Sequence, residues 1–256
     1  MSKQETKSRN RRVVILADTN THMMPALARE MARRDHDLVL GDAMDGLAEE
    51  LIGLGAKVEV VPDTADQTKD DTIQKLVARA QEAFGGFDSA CIRTGTHGGG
   101  TVLKSTEKDL DTQYEGNLKS VYFALQALLP PLVAQKSGQV IINTSCGALR
   151  PQPFVALYSA TRAGANALIR AAALEVGPQG VTVNATGTYA MNYPSFLHDV
   201  GADKDPSQIK VQEDMLPIRR LVEPEDAANF VAALIDGRAT AQTAQFFAID
   251  GGWSFM

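Results

Sequence analysis

Seven short apolar runs, alternating with six longer stretches of helical periodicity, confine this chain to one broad architecture. The runs lie at Val13 to Ala17, Leu38 to Gly41, Val58 to Val61, Ser89 to Arg93, Gln139 to Thr144, Val181 to Thr186 and Gln245 to Ile249. They are rich in β-branched residues and read as strands. Between them, helices fit Pro25 to Arg34, Gly46 to Leu54, Lys69 to Phe84, Lys108 to Ala134, Tyr158 to Val176 and Glu223 to Leu234. Pro25 suits a first helical turn, where its missing N–H costs nothing. Repeated strand–helix units of this kind close into a parallel sheet with helices on both faces. The expectation is a single α/β domain over residues 13–256, with a doubly wound, seven-stranded parallel sheet.

Charge and composition narrow the function. A net charge of −6 in 256 residues argues against broad nucleic-acid binding, which needs a basic face. The one basic cluster, Lys3, Lys7, Arg9, Arg11 and Arg12, lies in residues 1–12, which read as a flexible tail without the apolar core of a secretory signal. No apolar run reaches the roughly 18 residues of a membrane span. Cys91 and Cys146 have neither disulfide-framework nor zinc-ligand spacing, so no metal site is expected and a reducing cytoplasm fits. Cys146 reads as a packing residue, and Thr96 to Thr101, with three glycines and no P-loop spacing, as a flexible loop.

The longest break in the strand–helix rhythm runs from 188 to 223 and holds Tyr189, Met191, Tyr193, Pro194 and Phe196. Ligands of open α/β sheets bind beyond the carboxyl ends of the strands, so this segment is placed to cover a site for a small molecule. Beside it, the fifth strand ends at Ser145, and Tyr158 and Arg162 follow at helical spacing. Tyr and Arg four apart share a helix face. A phenol is a poor base at neutral pH, and a guanidinium one turn away favours the phenolate. Ser145 can donate to and accept from a substrate oxygen, holding it within reach of Tyr158.

Ser145, Tyr158, the following cation and Asn117 together resemble the short-chain dehydrogenase/reductase family. The likeness extends to Asp42 after the second strand, to Val181-Thr182-Val183-Asn184-Ala185, and to Ile249-Asp250-Gly251-Gly252. It implies a Rossmann-like fold and assembly as a homotetramer. Trp253 is expected at such an interface or closing the site. Dehydrogenases of this family carry T-G-x-x-x-G-x-G after the first strand, where glycines let the backbone approach a diphosphate. Here the motif positions are Ala17, Asp18, His22 and Met24. The family's N-N-A-G is Ile92-Arg93-Thr94-Gly95, its P-G step is Thr188-Tyr189, and its lysine is Arg162.

A Ser–Tyr–Arg trio without the cofactor glycines resembles the halohydrin dehalogenase branch. That resemblance implies a cofactor-free lyase that turns vicinal haloalcohols into epoxides and halide, and opens epoxides with small anions. Tyr158 would be the base, Ser145 the oxygen ligand, Arg162 the group that favours the phenolate, and Asn117 a fourth catalytic residue. Halide would rest among His22, Met24, Thr188, Tyr189 and Met191, drawn by a protonated His22. Two other readings remain open: an NAD- or NADP-dependent oxidoreductase with an unusual loop, in which Asp42 pairs a ribose hydroxyl, and a non-catalytic ligand-binding relative.

Overall fold

Strand β1, Arg12–Ala17, shows why the chain folds as a layered α/β structure. Its side chains alternate between two hydrophobic layers: Val13, Ile15 and Ala17 enter one, Val14 and Leu16 the other. The computed structural model describes residues 11–255. The remaining strands are β2 (His36–Gly41), β3 (Val58–Val61), β4 (Ser89–Arg93), β5 (Gly138–Asn143), β6 (Val181–Thr188) and β7 (Phe246–Ile249). All pair in parallel in the order β3-β2-β1-β4-β5-β6-β7. Every residue of β2 and of β5 is buried, as expected of a parallel sheet covered on both faces.

Helices α1 (Met24–Arg33), α2 (Leu47–Gly53) and α9 (Pro224–Ile235) cover one face. On the other lie α3 (Thr72–Phe84), α5 (Ser120–Gln135) and α6 (Ala156–Val176). The segment between β6 and α9 is no plain loop: it contains α7 (Pro194–Asp199) and α8 (Ser207–Asp214). Among the described residues, no helix is long and apolar enough to cross a membrane.

Two boundaries differ from the sequence expectation. The long helix expected over Lys108 to Ala134 is interrupted. Helix α4 (Glu107–Tyr114) passes into a π-helical turn, Glu115–Lys119, before α5 begins. Such turns insert an extra residue and re-aim the side chains around them. Most of the expected tail lies outside the described residues, but its last two do not behave as tail. Arg11 donates to the Gly55 carbonyl at 2.7 Å, and Arg12 begins β1 and donates to Gln139 Oε1 at 2.7 Å.

The sheet order reverses at β1, which pairs with β2 on one side and with β4 on the other. The loops after β1 and β4 therefore diverge and leave a crevice at the carboxyl ends. Asp18, Asp42, Arg93, Ser145 and Thr188 all lie at this end of the sheet.

Candidate active site

Ser145 stands immediately beyond β5 in an extended conformation, and its Oγ accepts from the Gly147 amide at 3.0 Å, capping the short turn Cys146–Ala148. Gly187 on β6 allows this approach. A Cβ there would lie 2.5 Å from the Ser145 carbonyl carbon and 2.6 Å from the Cys146 nitrogen. Helix α6 is tied to the same strand end through Thr144, whose hydroxyl meets Asn166 Oδ1 at 2.8 Å. Tyr158, two turns before Asn166, is thereby brought beside Ser145: a Cβ on Gly147 would contact both the Ser145 hydroxyl, at 3.3 Å, and the Tyr158 ring, at 3.4 Å.

Arg162 is buried below them, with its guanidinium carbon 5.2 Å from the centroid of the Tyr158 ring. Its Nη2 donates to the Thr94 carbonyl at 2.7 Å and its Nη1 approaches Thr94 Oγ1 at 3.3 Å. Gly95, at φ +119°, makes this possible. Asn117 sits in the π-helical turn and is fully buried. Its Oδ1 accepts from Thr96 N at 3.0 Å, and its Nδ2 faces Thr96 O, Gln113 Oε1 and Thr161 Oγ1. This side chain holds the loop after β4 and does not line the cavity. Asn117 is a positioning residue.

Ser145, Tyr158 and Arg162 open onto a cavity of about 510 Å³. Its far wall comes from the α7–α8 segment, with Tyr193, Phe196, Val200, Gln212 and Met215. Trp253 closes one side. It stacks on Tyr189 at 3.9 Å and 14°, beneath the Arg150 guanidinium.

The residues expected to form a halide pocket are only partly assembled. His22, Thr188, Tyr189 and Met191 line the cavity, but Met24 is buried at the start of α1 within the hydrophobic layer. His22 is no cation. Burial first, then the Arg93 and Arg162 charges, push its imidazole down to about 3, and its Nε2 lies 3.0 Å from Thr188 Oγ1. A neutral imidazole among two guanidinium groups offers no charge to an anion, so the expected electrostatic attraction is absent.

This imidazole makes stability pH-dependent. An unfolded histidine takes a proton near 6.5, whereas native His22 does not until about 3, so the unfolded state binds more protons throughout that window. Stability falls as pH drops below about 6.5. In His22→Asn, which tolerates the positive φ, the urea midpoint will fall less between pH 7.5 and 5 than in the wild type.

Several participants were not legible as such in the sequence. Arg93, at the end of β4, pairs with Asp18 across the crevice and lines the cavity. His97, in the loop expected to be flexible, meets the Tyr158 ring edge-on at 5.2 Å. That loop is held by Asn117 and by the Gly100 amide donating to Phe154 O at 2.5 Å. Cys146 does pack, fully buried, with its thiol directed to the Gly187 carbonyl at 3.1 Å and its ionisation pushed up by burial.

A hydroxyl and a phenol lie together beside a covered cavity at the carboxyl end of a doubly wound sheet. Comparison with known proteins gives the family. The model described as Enoyl-(Acyl carrier protein) reductase matches residues 24–254, and the chain belongs to the short-chain dehydrogenase/reductase superfamily. A 3-oxoacyl-[acyl-carrier-protein] reductase, FabG, of Staphylococcus epidermidis is 27% identical over 89% of this chain and 92% of its own. The 2,5-dichloro-2,5-cyclohexadiene-1,4-diol dehydrogenase LinX of Sphingobium indicum is 28% identical over 95% of this chain and 96% of its own. The crystal structure of levodione reductase superposes with a TM-score of 0.84 at 25% identity, covering 95% of this chain and 97% of that one. An actinorhodin polyketide ketoreductase with NADPH superposes at 0.86, with 22% identity and 96% and 98% coverage.

These findings overturn the expectation of a cofactor-free halohydrin dehalogenase. The family model and the relatives that run the length of the chain are reductases and dehydrogenases. The physical source of the error lies in the first loop. Asp18 and His22 replace two glycines yet hold φ at 61° and 57°, the left-handed conformation for which glycine is usually chosen. Asp and His are among the residues that tolerate it. The loss of glycine at these two positions therefore does not by itself exclude the left-handed backbone that glycine usually supplies.

Proposed function

We propose that the protein is a nicotinamide-dependent short-chain oxidoreductase that interconverts a small carbonyl compound and its alcohol. The observation that carries this reading is the shared wall of Ser145 and Tyr158 on a covered cavity, in a chain whose relatives are reductases and dehydrogenases. A bound nicotinamide supplies or accepts a hydride. The protein's own residues handle the oxygen. Ser145 donates a hydrogen bond to the carbonyl oxygen, and Tyr158 delivers its phenolic proton there in reduction or removes it in oxidation. Arg162 lies against the face of the Tyr158 ring, 5.2 Å from its centroid, and holds that ring in the cavity wall.

The chain's residues fit the dinucleotide in a rebuilt form. Helix α1 opens with no side-chain cap and no acidic residue in its first turn, but Pro25 brings no N–H and Met24 N already donates to the Thr21 carbonyl, so a diphosphate there needs a side-chain cation as well. Asp42 ends β2 where a ribose would be read. Its carboxylate accepts from the Asp63 and Thr64 amides at 2.9 and 2.6 Å, which fixes it in place. A fixed carboxylate repels a 2′-phosphate, so the protein favours NADH over NADPH.

The test is NADH-dependent reduction of a panel of small ketones. Ser145→Ala will lower kcat about 100-fold, because the oxygen then lacks its donor. Unchanged turnover in that variant would contradict the assignment.

A further inference from the structure

We propose that Arg93 is the residue that binds the cofactor's diphosphate, exchanging its partner Asp18 for the ligand; this rests on the nicotinamide reading above. Three observations lead there. First, the glycines that would bring the backbone to a diphosphate are absent, and Asp18 puts a carboxylate into that loop instead. Asp18, with Asp42 close enough to act on it, places a carboxylate where an anionic ligand would lie, so such a ligand needs a counter-charge.

Second, a cation stands at the crevice. Arg93 projects from the end of β4, the strand that pairs with β1 through Ala17 and Ile92, and reaches over the switch point to Asp18. It lines the cavity and keeps 26% of its side-chain surface exposed. The other guanidinium deep in the cavity, Arg162, is 4% exposed and committed to Thr94. Arg93 is the more exposed of the two and is held by side chains, Asp18 and Tyr193, that can be exchanged for a ligand.

Third, its present partner is replaceable. Guanidinium groups bind phosphate bidentately, and a diphosphate offers two charges where Asp18 offers one. Burial raises the carboxyl of Asp18 against the pull of Arg93, so the carboxylate is held there at a cost that weakens its claim on the guanidinium. The ion pair is therefore a clasp over the crevice: Asp18 holds Arg93 in position before the ligand arrives and competes with the ligand for it.

The test is calorimetric titration of the full chain with NADH and with ADP-ribose, which carries the diphosphate without the nicotinamide. Arg93→Gln will weaken both by about tenfold or more, and Arg93→Lys will recover part of the loss. Asp18→Asn, which keeps the positive φ and removes the competing charge, will tighten both several-fold and serves as the variant whose fold is least disturbed. Wild-type saturation by NADH with unchanged affinity in Arg93→Gln and Asp18→Asn would overturn the clasp and leave the nicotinamide reading standing. Failure of both wild type and Asp18→Asn to bind NADH would overturn both.

Discussion

Replacing Tyr158 with Phe will lower kcat for ketone reduction by about a thousandfold, with the Michaelis constant changed far less. The variant keeps the ring that packs against Arg162 and His97 but has no proton to give the carbonyl oxygen. Among its neighbours, Ser145 can only pass on a proton it cannot readily replace, Arg162 never releases one, and His22 is held neutral with Nε2 turned to Thr188. Steady-state kinetics with NADH and a saturating ketone measure the effect, and a drop shared between kcat and the Michaelis constant would point to lost binding instead of lost proton transfer.

Gly95→Ala will carry the largest stability cost. At φ +119° an L side chain is strained, and its Cβ would fall 1.8 Å from Arg162 Nη2 and 2.6 Å from Asn117 Oδ1. Neither neighbour has room to move, since Arg162 is held by Thr94 and Asn117 by Thr96, Gln113 and Thr161. Backbone strain and overpacking each cost about 1–3 kcal/mol, so a loss of roughly 3–5 kcal/mol is expected. For a domain of this size that lowers Tm by about 10 °C or more. Displacing Arg162 also removes the cation beneath Tyr158, so activity will fall with stability. A folded Gly95→Ala protein of native Tm would show that the guanidinium has space the structure denies it.

What the sequence discloses and what it withholds divide along physical lines. Strands such as Val13 to Ala17 were legible because burial on both faces demands unbroken apolar runs, and Ser145, Tyr158 and Arg162 because their spacing follows from one strand end and one helix face. The π-helical turn at Glu115–Lys119 was hidden, since one inserted residue barely disturbs apolar periodicity over a long helix. The Asp18–Arg93 pair joins residues 75 apart and depends on which strands are neighbours, a fact set by topology. The first loop misled most. Its missing glycines pointed to a missing dinucleotide site, whereas Asp18 and His22 hold the positive φ for which glycine is usually chosen.

The central claim is that this rebuilt loop still admits a nicotinamide dinucleotide. Titration of the wild-type chain with NADH and NADPH, followed by calorimetry, tests it directly. Saturable binding of NADH, tighter than that of NADPH because Asp42 repels the 2′-phosphate, is the result expected. Absence of saturable binding by either would contradict the account.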